Sequence, residues 1–309
     1  MRVGLTFPDE AMPRTIFYDR FIDSLQRSSS FVADDVAADV VFPFEDTSSE
    51  TNWPRYGNAD RAFLRGSSFK PTETYLRRLA KSTRPVCIVN MNPFLRLPIL
   101  LSDRPYAILA EGCLPIWERS MNPRTISMPS LPLNTPVGAS QDKTIFASFR
   151  GVLSHPSRAA LHRLHDGNNY ICELVAADNH ADKFDATSGD GDRSYADLMA
   201  RSLFAFVPRG DALFSYRLLE ALAFGCIPVV LSDGWVLPFD RTISWGDAAV
   251  SFPEAAIPEI PYFLEQFKPG RIAALQRGAR AIYAAHFATM DSIVTTLIAE
   301  LEAILKRRS

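Results

Sequence analysis

The amino-acid sequence predicts an α/β protein of two domains, each built on a parallel sheet. Its 309 residues suit two domains of ordinary size. Apolar runs of strand length alternate with helix-like segments along the chain, which is the pattern of β-α-β units. A stretch rich in Pro, Ser and Asn at 123–137 separates two such series. We therefore predict a first domain at 1–135 and a second domain at 136–309.

The first domain carries four predicted strands that end in polar residues. The strands are predicted at 2–7, 39–44, 85–90 and 106–110, and helices at 16–25 and 72–80. Glu45 and Asp46 follow the second strand, and Glu111 follows the fourth. Because ligands bind outside the carboxyl ends of parallel strands, these three carboxylates are candidates for catalysis. The polar segment 47–68 is either a sugar-contacting loop or a surface insertion.

The second domain repeats the alternation. Strands are predicted at 144–149, 169–176, 203–207 and 226–231, with helices at 157–165, 215–224, 257–267, 272–285 and 290–305. Gly225 is placed to close the helix at 215–224, as glycine does past a helix end. The segment 202–231 is thus strand, turn, helix, strand, which favours parallel pairing with a crossover helix.

The turn at 208–211 and the helix after it have residues suited to a phosphate and a sugar. Arg209 and Gly210 lie where the backbone can approach an anion, and Ser215 is a natural N-cap. Arg217 offers a forked cation for phosphate oxygens, and Glu220 lies one turn further on for two ribose hydroxyls. The alternative is structural: Arg217 and Glu220 form a surface ion pair and Ser215 only caps.

Composition excludes several classes of protein. The net charge of −2 argues against a nucleic-acid partner, because such proteins usually carry a basic face. The four cysteines lack C-x-x-C spacing and the five histidines lack metal or triad spacing, so no metal is expected. The chain has no G-x-S-x-G, P-loop or G-x-G-x-x-G motif. For the D-x-D at Asp190 and Asp192, a solvated loop is favoured over a metal–diphosphate site.

Two blocks of the second domain resemble a known family. Residues 207–239 have the sequence VPRGDALFSYRLLEALAFGCIPVVLSDGWVLPF, and residues 145–164 have IFASFRGVLSHPSRAALHRL. The first resembles the P-x-G, S-x-R-x-x-E/D-A, G-C-I-P-V-I, S-D and L-P-F elements of the exostosin family, glycosyltransferase family 47. The second block is similar to that family's F-x-G and R-x-x-L segment. The resemblance covers about 143–265, while the N-terminal half matches much less clearly.

The resemblance implies the GT-B fold, with two Rossmann-like domains whose parallel sheets face a central cleft. It also implies that the final helices pack back toward the first domain. The expected activity is an inverting transfer of a sugar from a nucleotide-sugar, UDP-linked, to a glycan acceptor held by the first domain. Neither a cofactor nor a metal is expected. The donor-binding residues would be Arg150, Gly151, Arg158, Arg209, Gly210, Asp211, Ser215, Tyr216, Arg217 and Glu220.

The general base is expected to be a carboxylate within hydrogen-bond reach of the acceptor. Asp46 or Glu45 is the first choice, Glu111 the third, and Asp233 an alternative. Two other functions stay open: a nucleotide-sugar epimerase of the same architecture, and a non-catalytic module that binds glycan or nucleotide. The chain opens without a signal peptide and has no apolar run of membrane-spanning length. We therefore expect a soluble, cytoplasmic protein of bacterial or viral type.

Overall fold

The structure is a computed structural model that describes residues 1–6, 16–33, 37–43, 85–91, 107–136, 142–175 and 193–306. No helix within these ranges is long and apolar enough to cross a membrane. The elements in chain order are β1 (Val3–Thr6), α1 (Ile16–Arg27), β2 (Val40–Pro43), β3 (Val86–Asn90), β4 (Ala107–Glu111), α2 (Ile116–Met121), β5 (Thr125–Ser127), β6 (Ile145–Val152), α3 (Pro156–His162), β7 (Tyr170–Val175), α4 (Arg193–Arg201), β8 (Ser202–Pro208), α5 (Arg217–Ala223), β9 (Ile227–Leu231), β10 (Val250–Ser251), α6 (Ile260–Glu265), α7 (Pro269–His286) and α8 (Met290–Lys306). Short 3₁₀ helices lie at Trp245–Asp247 and Glu254–Glu259.

The first compact unit comprises Met1–Met128 and Thr289–Ser309. Its parallel sheet has the order β1-β2-β3-β4-β5. Helix α1 turns Phe21, Ile22 and Leu25 inward, and the ring of Phe21 lies 5.9 Å from that of Phe42 on β2. Because apolar side chains recur at helical spacing on α1, one face of the helix covers the sheet. Helix α8 packs against α1 and belongs to this unit.

The second compact unit, Pro129–Ala288, contains the other parallel sheet, with the order β10-β9-β8-β6-β7. Both faces of this sheet are covered. One face packs Phe149, Phe204 and other apolar residues against α3, α6 and α7. The other packs Ala205 and Cys226 against residues of α4 and α5. The strands are therefore apolar on both sides, which explains their near-continuous hydrophobic sequences.

The predicted fold class, α/β with two parallel sheets, is confirmed. Helices α2 and α4 and strand β5 were not predicted. Strand β5 lies inside the predicted linker at 123–137, and a strand of only three residues is too short to show a period in the sequence. The compact units divide after Met128, and residues 289–309 group with the first unit.

Gly225 closes helix α5 as predicted. It has φ +66°, the left-handed region that glycine occupies at low cost. The amide of Cys226 donates to the carbonyl of Ala221 at 2.8 Å, and the amide of Gly225 donates to the carbonyl of Leu222 at 3.0 Å. This pair of bonds is a Schellman motif, which satisfies the last carbonyls of the helix. The motif turns the chain directly into β9.

We expect Gly225→Ala to destabilise the protein by about 1–2 kcal/mol, because an L-residue pays that cost in the left-handed region. A β-carbon at this position would also lie 3.1 Å from Nε of Arg280. Urea unfolding gives the measurement. Gly246→Ala is the matched control, since a β-carbon there would meet no atom within 4 Å. Equal stability of the two variants would contradict the assignment.

Candidate functional site

Three arginines gather at the carboxyl ends of β6 and β8 in the second unit. Arg158 lies on α3, Arg209 follows β8, and Arg217 opens α5. We call these three residues the arginine cluster. The guanidinium carbons of Arg158 and Arg217 lie 5.8 Å and 5.1 Å from the ring centroid of Phe149 on β6. One aromatic ring thus supports two cations, each attracted by its π face.

The arginine cluster is held by backbone carbonyls and not by carboxylates. Arg158 donates from Nε to the carbonyl of Arg209 and from Nη1 to that of Val152, both at 2.9 Å. Arg217 donates from Nε and Nη2 to the carbonyl of Arg150, at 3.2 Å and 2.6 Å. Within the described ranges, none of the three forms a salt bridge. Their hydrogen bonds are satisfied in part, and the carboxylate of Asp211 contributes an opposite charge near Arg158.

Burial makes the positive charge of the cluster costly. Only 7% of Arg158 is exposed. Burial, and then the neighbouring charge of Arg217, lower the pKa of the Arg158 guanidinium to about 10. Nε of Arg209 is buried and has no hydrogen-bond partner in the part of the chain that the structure describes. Because buried cations normally pair with an anion, the cluster has the chemistry of an anion site.

Two glycines make room for the guanidinium groups. A β-carbon at Gly151 would overlap the Arg217 guanidinium. One at Gly210 would lie 3.0 Å from Nη2 of Arg158. A side chain at either position would therefore displace the guanidinium group of an arginine of the cluster.

The start of α5 differs from the prediction. The N-cap residue is Tyr216, with φ −54° and no side-chain cap bond. The carbonyl of Ser215 accepts from the amide of Leu218, but its hydroxyl is buried without a partner among the described residues. The predicted capping by the Ser215 side chain is wrong, because the backbone already turns before the hydroxyl can reach an amide. Burial, with the charge of Glu220, raises the pKa of Tyr216 to about 12.

Glu220 is a buried carboxylate whose two oxygens both accept hydrogen bonds. Oε1 accepts from the backbone amide of Asn134 at 3.0 Å and from its Nδ2 at 2.9 Å, and Oε2 accepts from the Tyr195 hydroxyl at 2.6 Å. Burial and the charge of Glu220 raise the pKa of the Tyr195 phenol well above its ordinary value. The alternative of a surface ion pair with Arg217 is wrong, because Glu220 is only 3% exposed.

Arg150 does not turn its charge toward the cluster. Its Nε lies 2.7 Å from Oε2 of Glu173 on β7, and its Nη1 donates to the hydroxyl of Ser194. In this structure the guanidinium of Arg150 is engaged by Glu173, and its contact with a phosphate stays a prediction. Asp211 is exposed in the turn after β8, where its charge opposes the lowering of the pKa of Arg158.

Of the catalytic candidates in the first unit, only Glu111 is among the described residues. Glu111 ends β4, is 3% exposed and accepts a 2.6 Å hydrogen bond from Nδ2 of Asn90 at the end of β3. Glu45 and Asp46 lie outside the described residues, as do Asp190, Asp192 and the segment 47–68. The identity of the general base stays a prediction.

Three further features of the second unit lie near the arginine cluster. Nδ1 of His155 accepts from the amide of Ser157 at 3.3 Å and so caps α3. Asp233 and Glu254 exchange hydrogen bonds between each backbone amide and the other side chain, at 3.0 Å and 3.1 Å. Nε1 of Trp235 is buried without a partner among the described residues. His155 directly precedes Pro156, the first residue of α3, and proline at that position is a sequence signal for the start of a helix.

The fold and the arginine cluster together define a class of protein. It has two parallel α/β units, and a cluster of positive charge suited to an anion lies at the sheet edge of one of them. The Exostosin GT47 domain matches residues 105–267, more than half of the chain. The chain therefore belongs to the exostosin family.

Similar proteins include an Exostosin-1 homolog of Caenorhabditis elegans, 35% identical over 144 residues, which are 44% of this chain and 38% of that protein. Exostosin-1 of Drosophila melanogaster is 35% identical over 169 residues, which are 50% of this chain and 22% of that protein. The chain thus spans well under half of each of these relatives.

Two solved glycosyltransferase structures are also similar. Anabaena Alr3699/HepE in complex with UDP-glucose has a TM-score of 0.47 at 12% identity, covering 99% of this chain and 100% of that one. WaaG, involved in lipopolysaccharide biosynthesis, has a TM-score of 0.45 at 11% identity, covering 96% and 99%.

We expect acid to weaken the cap of α3. Burial lowers the pKa of His155 from 6.5, with Arg209 and Arg158 acting in the same direction and Glu254 and Asp211 opposing it. The unfolded state therefore takes up the proton first, and the free energy of unfolding falls as the pH drops through about 6.5. In His155→Asn this loss should be smaller, because asparagine caps a helix without titrating.

Urea unfolding between about pH 8 and about pH 5 measures this slope. Burial also lowers the pKa of His286. The His155→Asn variant should therefore keep the part of the pH dependence of stability that comes from His286. The double variant with His286→Gln should therefore be flatter still. An identical slope in wild type and His155→Asn would show that His155 does not titrate with folding.

Proposed function

We propose that the protein is a glycosyltransferase that binds the diphosphate of a nucleotide-sugar at the arginine cluster and transfers the sugar, with inversion, to a glycan. The observation that carries the proposal is the positive charge of Arg158, Arg209 and Arg217, held without salt bridges among the described residues, at the edge of a parallel sheet. Membership in the exostosin family supports the reaction class. A diphosphate would add negative charge to that of Asp211, which already acts on Arg158.

The same cations serve the chemistry. When the sugar leaves, negative charge develops on the diphosphate, and preorganised cations that are already desolvated stabilise it strongly. Arg217 is fixed by the carbonyl of Arg150 and by Phe149, so that little reorganisation accompanies the reaction. Three cations in place supply the neutralisation for which other transferases use a divalent metal, and the proposal therefore requires no metal.

Glu220 is the proposed ribose ligand. Asn134 gives one oxygen of this carboxylate two N–H donors, which is the number that a ribose would offer from two hydroxyls. Binding would exchange Asn134 for the ribose, while the Tyr195 hydroxyl keeps hold of the other oxygen. We also propose that the base attached to this ribose is uracil, so that the donor is a UDP-sugar.

The acceptor would bind to the first unit, where a carboxylate must remove the proton of the attacking hydroxyl. Burial of Glu111 and its hydrogen bond from Asn90 favour a structural role for that residue. We therefore propose Asp46 or Glu45 as the base. One of the two variants Asp46→Asn and Glu45→Gln should abolish transfer while leaving nucleotide binding intact, and that variant identifies the base.

Calorimetric titration with UDP and with uridine, in the presence of a chelator, tests the diphosphate site. UDP should bind far more tightly than uridine. Arg217→Met should weaken UDP binding by about tenfold to a hundredfold, because a hydrogen bond to a charged group contributes about 1.5–3 kcal/mol. Arg201→Met is the matched control, since that arginine forms an exposed pair with Asp197.

Equal affinity for UDP and uridine would contradict the proposal. Release of UDP that depends on an added glycan acceptor would distinguish the transferase from a binding module. Interconversion of UDP-sugars without an acceptor would identify an epimerase instead.

Gly151→Ala should also weaken UDP binding by about tenfold, because the new methyl group displaces the Arg217 guanidinium and removes at least one charged hydrogen bond. Thermal unfolding verifies that the variant is folded. Gly270→Ala is the control, since a β-carbon there would meet nothing within 4 Å. Unchanged UDP affinity in a folded Gly151→Ala variant would remove Arg217 from the site.

A further inference from the structure

His155 lies beside the arginine cluster, three residues beyond the end of β6. Its carbonyl accepts from the amide of Arg158 at 3.0 Å, and Arg158 in turn donates from Nε to the carbonyl of Arg209 at 2.9 Å. The side chain of His155 is 26% exposed, whereas Arg158 is almost fully buried. An anion that reaches the cluster therefore comes close to an imidazole that solvent also reaches.

Four charged groups on three elements act on the His155 ring. Arg158 lies on α3, Arg209 and Asp211 lie in the turn after β8, and Glu254 begins the 3₁₀ helix that follows β10. Burial lowers the pKa of His155 from 6.5, and the two arginines act in the same direction, against the two carboxylates. In this charge environment the imidazole is neutral at about pH 7.

The neutral ring has one nitrogen committed to the cap of α3. Nδ1 accepts from the amide of Ser157 at 3.3 Å, so the ring proton lies on Nε2. Two acceptors lie near the same nitrogen: the Ser157 hydroxyl oxygen at 2.9 Å and Oε2 of Glu254 at 3.6 Å. A proton added at Nδ1 would exchange the amide donor for these acceptors, so the charged ring is also provided with partners.

An anion at the cluster reverses the balance of charge around His155. The two arginines keep the ring neutral because their positive charge repels a third cation. A diphosphate that binds them would offset this repulsion and add negative charge of its own. A charge of opposite sign within about 4–6 Å raises the pKa of a basic group by about 1–3. Anion binding and protonation of His155 therefore favour each other.

We propose that His155 takes up a proton from solvent when the diphosphate of the nucleotide binds at the arginine cluster, and that it then serves as a fourth cation of the donor site. The new N–H bond forms at Nδ1, where Glu254 and the Ser157 hydroxyl accept from it, and the amide of Ser157 gives up its bond to the ring. This inference rests on the proposed function, because it takes the diphosphate as the anion.

The coupling fixes how the affinity for the nucleotide depends on pH. Above the pKa that His155 has in the nucleotide complex, the ring is neutral in both states and the affinity does not depend on it. As the pH falls through that value the affinity rises, and it levels off below the pKa of the free protein. The added charge lies beside the cations that meet the leaving diphosphate, so protonation also stabilises the transition state.

Calorimetric titration with UDP, between about pH 8 and about pH 5.5, tests the coupling. From the higher to the lower pH, the affinity of the wild type should rise by about threefold to tenfold relative to that of His155→Asn, because raising a pKa by one corresponds to a factor of about ten. Repeating the titration in two buffers of different ionisation enthalpy, neither of them phosphate, counts the protons. The wild type should take up more protons than His155→Asn.

His286→Gln is the matched control. Burial lowers the pKa of His286 without a contribution from the arginines, so this variant should keep the proton uptake of the wild type. The terminal phosphate of UDP titrates at about pH 6 and contributes equally in every variant. Uridine, which lacks the phosphates, should show no difference in pH dependence between the wild type and His155→Asn.

Glu254→Gln tests the partner of the charged ring. Glutamine retains an oxygen for the amide of Asp233 but removes the carboxylate charge, so proton uptake on binding UDP should decrease. An NMR titration of the His155 ring in the wild type, with and without UDP, measures the pKa directly and does not depend on the folding of any variant.

Equal pH profiles and equal proton uptake in the wild type and a folded His155→Asn variant would overturn the inference. The same conclusion would follow from a His155 ring whose pKa is identical with and without UDP. Failure of the wild type to bind UDP at any of these pH values would instead contradict the proposed function.

Discussion

The structure of the second unit depends on how it holds two of the three clustered arginines by main-chain carbonyls and an aromatic ring rather than by salt bridges to carboxylates. Arg158 and Arg217 reach across the ends of β6 and β8 and are tied there by main-chain carbonyls and by the ring of Phe149. Carbonyl dipoles orient a guanidinium without cancelling its charge. The glycines at 151 and 210, the aromatic ring at 149 and the turn after β8 all follow from that arrangement.

The hydrogen bonds of the carboxylates near the arginine cluster follow from the same constraint. Carboxylates near the site are directed elsewhere: Glu173 pairs with Arg150, Glu254 with the amide of Asp233, and Glu220 with Tyr195 and Asn134. Asp211 is the nearby carboxylate whose charge acts on Arg158, whereas each of those three is satisfied by a protein donor. The edge of the sheet is thereby kept cationic even though the chain as a whole has a net charge of −2.

Local sequence patterns predicted most of the regular structure, because buried strands are recognisable apolar runs and Gly225 marks the end of α5. The hydrogen-bond and ion-pair partners of individual side chains depend on how the strands pair, so they were harder to predict. Arg150 faces Glu173 because β6 and β7 pair in that register, which spacing along the chain does not show. Ser215 is a residue type that often caps a helix, but its backbone does not place the hydroxyl at the helix start. Nothing in the sequence distinguishes an unpaired buried indole N–H, such as that of Trp235, from a paired one.

The hydrogen bonds from Asn134 to Glu220 have a consequence for how affinity is set. Any ligand that takes Oε1 must compete with a tethered donor that is always present, so its observed dissociation constant is the intrinsic dissociation constant divided by the fraction of molecules in which Asn134 is released. The segment around 134 therefore acts as an internal competitor. Substitutions there would tune nucleotide affinity without altering any atom that the nucleotide contacts.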